Sequence, residues 1–211
     1  MDADVFRAWI TDIATVVTEQ RDHLTQLDAA IGDADHGTNL ARGFTAAVAA
    51  LEADQPATPG AVITLTGRTL ISKVGGASGP LYGTFFRRAG KSLGDAADVD
   101  LAALAAALEA ALGGIQQLGA AKEGDKTMVD VLAPATSAFS KAVAEGHSAP
   151  EALTTLVEAA QAGAEATVSM QALKGRASYL GPRSVGHEDP GSASAALILG
   201  ALRDTALAGG T

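Results

Sequence analysis

Apolar side chains return along this chain with a helical period. Val5, Phe6, Trp9, Ile10, Ile13, Val16, Val17, Leu24 and Leu27 form one stripe, which predicts a first helix running to the edge of an aspartate-rich turn. The same spacing predicts helices over 37–52 (Leu40, Phe44, Val48, Leu51) and over 60–73 (Val62, Leu65, Thr69, Leu70). A fourth should begin near Pro80, since proline suits a first helical turn. A fifth spans Leu101 to Leu118, with Leu101, Leu104, Leu108, Leu112 and Ile115 as its buried face. A sixth follows GAAKEGDKT, where Pro134 either kinks the helix or marks its beginning. Leu153, Leu156, Val157, Val168 and Leu173 predict a seventh helix, and Ala193 through Leu207 an eighth. No stretch alternates with period two, so no strand is predicted.

The reading is therefore all-α, an eight-helix antiparallel up-and-down bundle in one domain over 1–211. Four segments resist the helical pattern: 28–38, 74–80, 119–127 and 174–192, each rich in glycine with charged or hydroxyl residues. In an up-and-down bundle alternate connections lie at the same end. The connections after helices one, three, five and seven are these four, so one end should gather all of them.

Composition agrees with close helix packing: 47% of residues are hydrophobic but only 4% aromatic, so the core must be built from small aliphatic side chains. The formal net charge of -9 and the lack of a basic block argue against nucleic acid as a partner. There is no cysteine, which excludes disulfides and thiol catalysis. The acidic, amphipathic start MDADVFRAWITD is unlike a signal peptide, and the apolar run LAALAAAL is bounded by Asp100 and Glu109. Both favour a cytoplasmic protein without a membrane segment.

The chemistry concentrates in the four loops. DAAIGDADHGTN sets Asp28, Asp33 and Asp35 into a glycine-punctuated turn, and carboxylates so crowded repel unless a cation lies between them. Oxygen-only ligation suits Mg²⁺, Ca²⁺ or Mn²⁺ rather than zinc. An EF-hand is excluded, because counting from Asp33 its closing glutamate position holds Phe44. Gly37, Thr38 and Asn39 fall at a helix start, where free N–H groups favour phosphate, although Asp and Asn also serve as plain caps and turns. In GGASG, small residues permit backbone approach to an anion and Ser78 could donate its hydroxyl, but the lysine of a P-loop is missing. Lys122 and Lys126 could neutralise phosphate or simply be solvated, and Met128 could pack on a base or in the core. Arg176 is the best phosphate candidate of the last loop. Asp189, Pro190 and Gly191 read as the cap and first turn of the final helix. His36, beside the aspartates, suits hydrogen bonding to a ligand, and His187 is left open.

Taken together, DAAIGDADHGTN, GGASGPLYGTFF, GDKTMVDVLAP and GRASYLGPRSVGHEDPGSAS resemble, in this order and over nearly the whole chain, the DhaL family of nucleotide-binding subunits of bacterial dihydroxyacetone kinase. The resemblance implies an eight-helix antiparallel barrel holding ADP or ATP and two Mg²⁺ at one end. It implies metal ligation by Asp28, Asp33 and Asp35, which would act through metal. Phosphate contacts would come from His36, Gly37, Thr38, Asn39, Ala77 and Ser78, and the rest of the nucleotide frame from Gly119, Met128, Arg176, Asp189, Pro190 and Gly191. It further implies transfer of the terminal phosphate to dihydroxyacetone on a separate DhaK-like subunit and recharging by a DhaM-like phosphohistidine protein, and leaves room for a homodimer. Rival readings are an ATP-dependent subunit for another ketose, a nucleotide-dependent regulator of a transcription factor, and a fatty-acid-kinase type DAK2 domain. The last usually carries threonine where His36 stands.

Overall fold

The computed structural model describes residues 1–209. Its helices are α1 (Ala3–Glu19), α2 (Arg21–Ile31), α3 (His36–Asp54), α4 (Pro59–Lys73), α5 (Ser78–Leu93), α6 (Leu101–Gly119), α7 (Val129–Ala144), α8 (Ala149–Ala166) and α9 (Pro190–Ala208), with short 3₁₀ stretches at Thr167–Ser169 and Arg176–Ser184. No strand occurs among the described residues.

The first predicted helix is broken in two at Gln20, whose φ of -90° and ψ of 5° bend the chain. Its N–H still reaches the Val16 carbonyl and its own carbonyl accepts from Leu24 N–H. The hydrogen-bond ladder thus passes through the bend, and α1 and α2 fill the place of one helix. Pro134 lies inside α7, which begins at Val129. The seventh helix stops at Ala166, short of Leu173, and Leu173 is 56% exposed rather than core.

Each helix packs on its neighbours in sequence, α3 on α4, α4 on α5, and so on to α8 on α9; α9 and α3 both return to α1. One contiguous core results, lined by Phe6, Trp9, Phe44, Phe86 and Phe139 among aliphatic side chains. Trp9 sits between Phe6 and Phe86 at centroid distances of 6.0 and 5.6 Å and donates its indole N–H to the Ile198 carbonyl at 3.0 Å. That single residue joins α1, α5 and α9. Packing is tightest between α4 and α5: a Cβ on Gly67 would stand 2.7 Å from the Gly83 carbonyl oxygen, and one on Gly90 2.7 Å from that of Gly60. Only glycine permits such backbone approach. By length and hydropathy α6 could cross a membrane, yet Leu104, Leu108, Ala111 and Ile115 are buried where it packs between α5 and α7.

Candidate functional site

The connections after α2, α4, α6 and α8 meet at one end and wall a cavity of about 420 Å³. Of the residues singled out from the sequence, all line it except Gly37, Thr38, Asn39, Lys122 and His187. Gly37 turns toward α2, where a Cβ would stand 2.0 Å from the Arg21 carbonyl oxygen. Thr38 is exposed, and buried Asn39 accepts from Arg42 Nη2 at 2.6 Å.

The acidic corner is held from α2. Asp28 is buried at the last turn of that helix, and its Oδ2 accepts the backbone N–H groups of Asp35 (2.9 Å) and His36 (3.1 Å). Asp28 therefore caps α3 from a different helix. Its other oxygen, Oδ1, lies 1.9 Å from where a Cβ on Gly32 would be, so residue 32 must be glycine for the carboxylate to fit. Ala34 takes a left-handed φ of 62°, a strained conformation for alanine that turns the loop between Asp33 and Asp35. Carboxylate oxygens of Asp28, Asp33 and Asp35 come within 4.8 Å of one another. Arg176 Nη2 reaches across from the last loop to Asp33 Oδ2 at 2.9 Å.

His36 opens the first turn of α3 and is buried. Its Nδ1 lies 3.1 Å from the Ser78 hydroxyl, and its Nε2 2.8 Å from Ser194 Oγ, which in turn is 2.6 Å from the Tyr82 hydroxyl. Burial holds the imidazole below its ordinary pKa, against the pull of Asp28 and Asp35, and burial raises that of the Tyr82 phenol. The four side chains make a neutral chain of hydrogen bonds tying α3, α5 and α9 together behind the cavity. Tyr82 and Ser194 escaped the sequence reading. The available signal was serines at 192 and 194, both buried, in the otherwise apolar first half of α9.

Lys126 also departs from expectation. Its side chain turns away from the cavity into full burial and donates to the carbonyls of Thr167 (2.8 Å), Met170 (3.1 Å), Ser184 (2.8 Å) and His187 (2.5 Å). It staples the third polar loop to the fourth rather than meeting a phosphate, and desolvation lowers its pKa. The third loop is further fixed by Asp130, which accepts from Gly124 N–H (2.5 Å) and Thr127 N–H (2.8 Å). Asp189 caps α9 through the N–H and hydroxyl of Ser192, and loss of solvent pushes its pKa up to about 6.

The cavity thus has two chemically distinct walls. Leu81, Ile115, Leu118 and Met128 offer an apolar slot, whereas Asp28, Asp33, Asp35, His36, Ser78 and Arg176 gather at the first turns of α3 and α5. A flat apolar group joined to an anionic, metal-bearing tail fits that division.

Comparison with known proteins points the same way. The DAK2 domain matches residues 30–204. The ADP-binding subunit DhaL of the PEP-dependent dihydroxyacetone kinase of Escherichia coli is 41% identical over 90% of this chain and 91% of its own length. A Listeria innocua subunit bearing the same description is 41% identical over 97% of both chains. The crystal structure of the C. freundii dihydroxyacetone kinase with AMP-PNP and Mg²⁺ superposes with a TM-score of 0.73 at 29% identity, covering 97% of this chain but only 34% of that longer one. With the domain match spanning most of its length and two relatives of matching extent, this chain belongs to the DAK2 family, in its DhaL branch.

Proposed function

We propose that this chain is the nucleotide-holding subunit of a dihydroxyacetone kinase of the PEP-dependent type. It would keep Mg-ADP or Mg-ATP in the cavity and pass the terminal phosphate to dihydroxyacetone on a separate DhaK-like subunit, while a DhaM-like phosphohistidine protein recharges the bound ADP. One observation carries the reading: three carboxylates within 4.8 Å of one another face a cavity into which the first turns of α3, α5 and α7 also open. The descriptions of the E. coli and Listeria relatives, ADP-binding subunits of a PEP-dependent kinase, support it.

The donor set fits magnesium, since every candidate ligand is a carboxylate oxygen and the chain has no cysteine. Asp28, Asp33 and Asp35 would hold two ions. Bound there, they would neutralise charge on the phosphate oxygens during in-line transfer. The protein's own part is positioning. Asp28 fixes the loop by spending Oδ2 on α3 and leaving Oδ1 to a ligand. Arg176 would exchange Asp33 for phosphate oxygens, which guanidinium grips in bidentate fashion. Ala77 and Ser78 bring the uncapped start of α5 to the phosphates, with His36 orienting the Ser78 hydroxyl. Gly37, Thr38 and Asn39 do not line the cavity and would act only through the dipole of the first turn of α3, which favours an anion. Met128, Leu118 and Gly119 would flank the base, and Asp189, Pro190 and Gly191 close the far side. The cytoplasm, where nucleotide and kinase partners meet, is the proposed address.

Denaturing freshly purified protein and assaying released nucleotide and magnesium tests the reading, with Asp33→Asn beside it. Near-stoichiometric ADP and two equivalents of Mg²⁺ are expected. Loss of a ligand should weaken retention beyond the roughly 10- to 100-fold that loss of a mere outer-shell partner costs. A protein that carries no nucleotide and ignores added Mg-ADP and Mg-ATP would refute it.

A further inference from the structure

A second concavity, about 1200 Å³, runs along the outer faces of α4, α5 and α6 and ends at Leu118, the residue it shares with the cavity. Although the chain is acidic overall, four of its 15 basic side chains lie in this groove, Arg68, Arg87, Arg88 and Lys91, against two acidic ones, Asp54 and Asp95. None of the four is ion-paired among the described residues. Their stems are seated by the fold. Arg87 Cγ lies over Gly67 of α4, 2.7 Å from where a Cβ would be, and Arg88 Cγ lies over Gly114 of α6 at 2.6 Å. Arg88 is further held by Gln117 at 3.1 Å. A side chain at either glycine would displace an arginine, so the close approach that sinks α5 between its neighbours also fans its cations along the groove floor.

We propose that this groove docks an acidic protein surface, and that its occupant is the phosphohistidine protein that recharges the bound nucleotide. The inference rests on the function proposed above. A second copy is disfavoured as the occupant, because a two-fold pairing would set these cations against themselves. A point anion is a poor match too, since the cations spread along more than a helical turn instead of converging. The choice between the two protein partners follows from chemistry. Leu173, Tyr179 and Val185 stand exposed on the segment that carries Arg176, and apolar surface of that kind suits a lasting contact with the substrate subunit. A charge-lined groove poor in apolar side chains suits a partner that must arrive fast and leave each turnover, because complementary charge raises association rates more than it slows release.

The test compares wild type with the triple charge reversal Arg87→Glu, Arg88→Glu, Lys91→Glu, and with the milder Arg87→Gln, Arg88→Gln should the first not fold. Retention of Mg-ADP is expected to stay at the wild-type level. Phosphorylation of bound ADP by a phosphorylated DhaM-type protein at low salt should lose about 10- to 100-fold in kcat/KM, and its dependence on ionic strength should flatten. Single-turnover transfer from preloaded Mg-ATP to the substrate subunit should be unchanged. If that transfer falls and recharging does not, the groove belongs to the substrate subunit and the proposal is wrong; unchanged rates in both assays overturn it as well. A wild-type protein that binds nucleotide but accepts phosphate from no phosphoprotein removes the donor reading itself, a failure visible without any variant.

Discussion

The two ends of this bundle begin their helices differently. At the end away from the cavity, α1, α4 and α6 each start on a side chain that accepts from the first turn: Asp2, Thr58 and Asp100. There α8 is closed by Glu151, which reaches back to the N–H of Ser148. At the cavity end, α3, α5 and α7 start on Asp35, Ala77 and Met128, none of which caps its own helix. Where only stability is at stake, the chain satisfies its helix starts locally. At the cavity end the caps of α3 and α7 come from outside the N-cap position, from Asp28 of α2 and from Thr127, α9 keeps its own cap in Asp189, and only α5 starts with no side-chain cap; Lys126 and Asp130 fix the loops between them. A capped helix start has less to offer a phosphate, so the uncapped start of α5 is the one that the functional reading uses most directly.

The largest effect that could break this contrast comes from Lys126. Replacing it by methionine keeps the stem but strips four carbonyls of their donor, two of them, those of Thr167 and Ser184, buried. We expect a loss of about 3 kcal/mol, a fall in Tm of about 6–12 °C for a chain of this size, and faster hydrogen exchange confined to 167–189. A melting temperature within two degrees of wild type, measured by calorimetry, would show that the cavity end does not depend on remote fixing.

How far the sequence foretold this arrangement depends on the kind of information each feature needs. Helix positions were legible because period and breakers are local, and the convergence of four loops at one end follows from counting helices. The bend at Gln20 left no mark: neither glycine nor proline stands there, and the ladder continues through it. Leu173 fits the heptad-like spacing of the seventh helix, but the chain leaves that helix at Ala166, so the spacing misleads. Lys126 shows its charge in the sequence and not its burial, which only the fold of two loops around it determines. Gly37 reads as an anion contact, whereas its missing side chain is first of all what lets α3 start against α2. The aspartate corner was legible as a cluster, but not that Asp28 would serve as the cap of α3.

A smaller effect separates the caps at the two ends by pH. Asp189 caps α9 beside the cavity, and its pKa stands near 6, above the ordinary carboxylate value of 3.8, because burial outweighs the help of Ser192. A carboxyl raised on folding favours the folded state in its protonated form. Its contribution is therefore complete below the unfolded value and is lost as pH rises through about 6. Relative to Asp189→Asn, wild type should lose about 1–3 kcal/mol between pH 4 and pH 6 and nothing further above. Urea midpoints across that range measure it, and parallel curves for the two proteins would refute the raised value.

The smallest expected effect comes from the opposite end. Asp100 accepts from Ala103 N–H at 2.8 Å on the exposed start of α6, a conventional cap far from any loop of the cavity. Asp100→Ala should cost about 1 kcal/mol, which for this length lowers Tm by about 2–4 °C, and should leave ADP retention untouched. Both halves of that outcome are needed. A stability loss with unchanged nucleotide shows that closed helix starts serve the fold alone, while any weakening of nucleotide binding would mean that the two ends are coupled through α6, whose last residue, Gly119, lines the cavity. In that case the division of labour between capped and open helix starts would have to be given up, since a cap at one end would be tuning a site at the other.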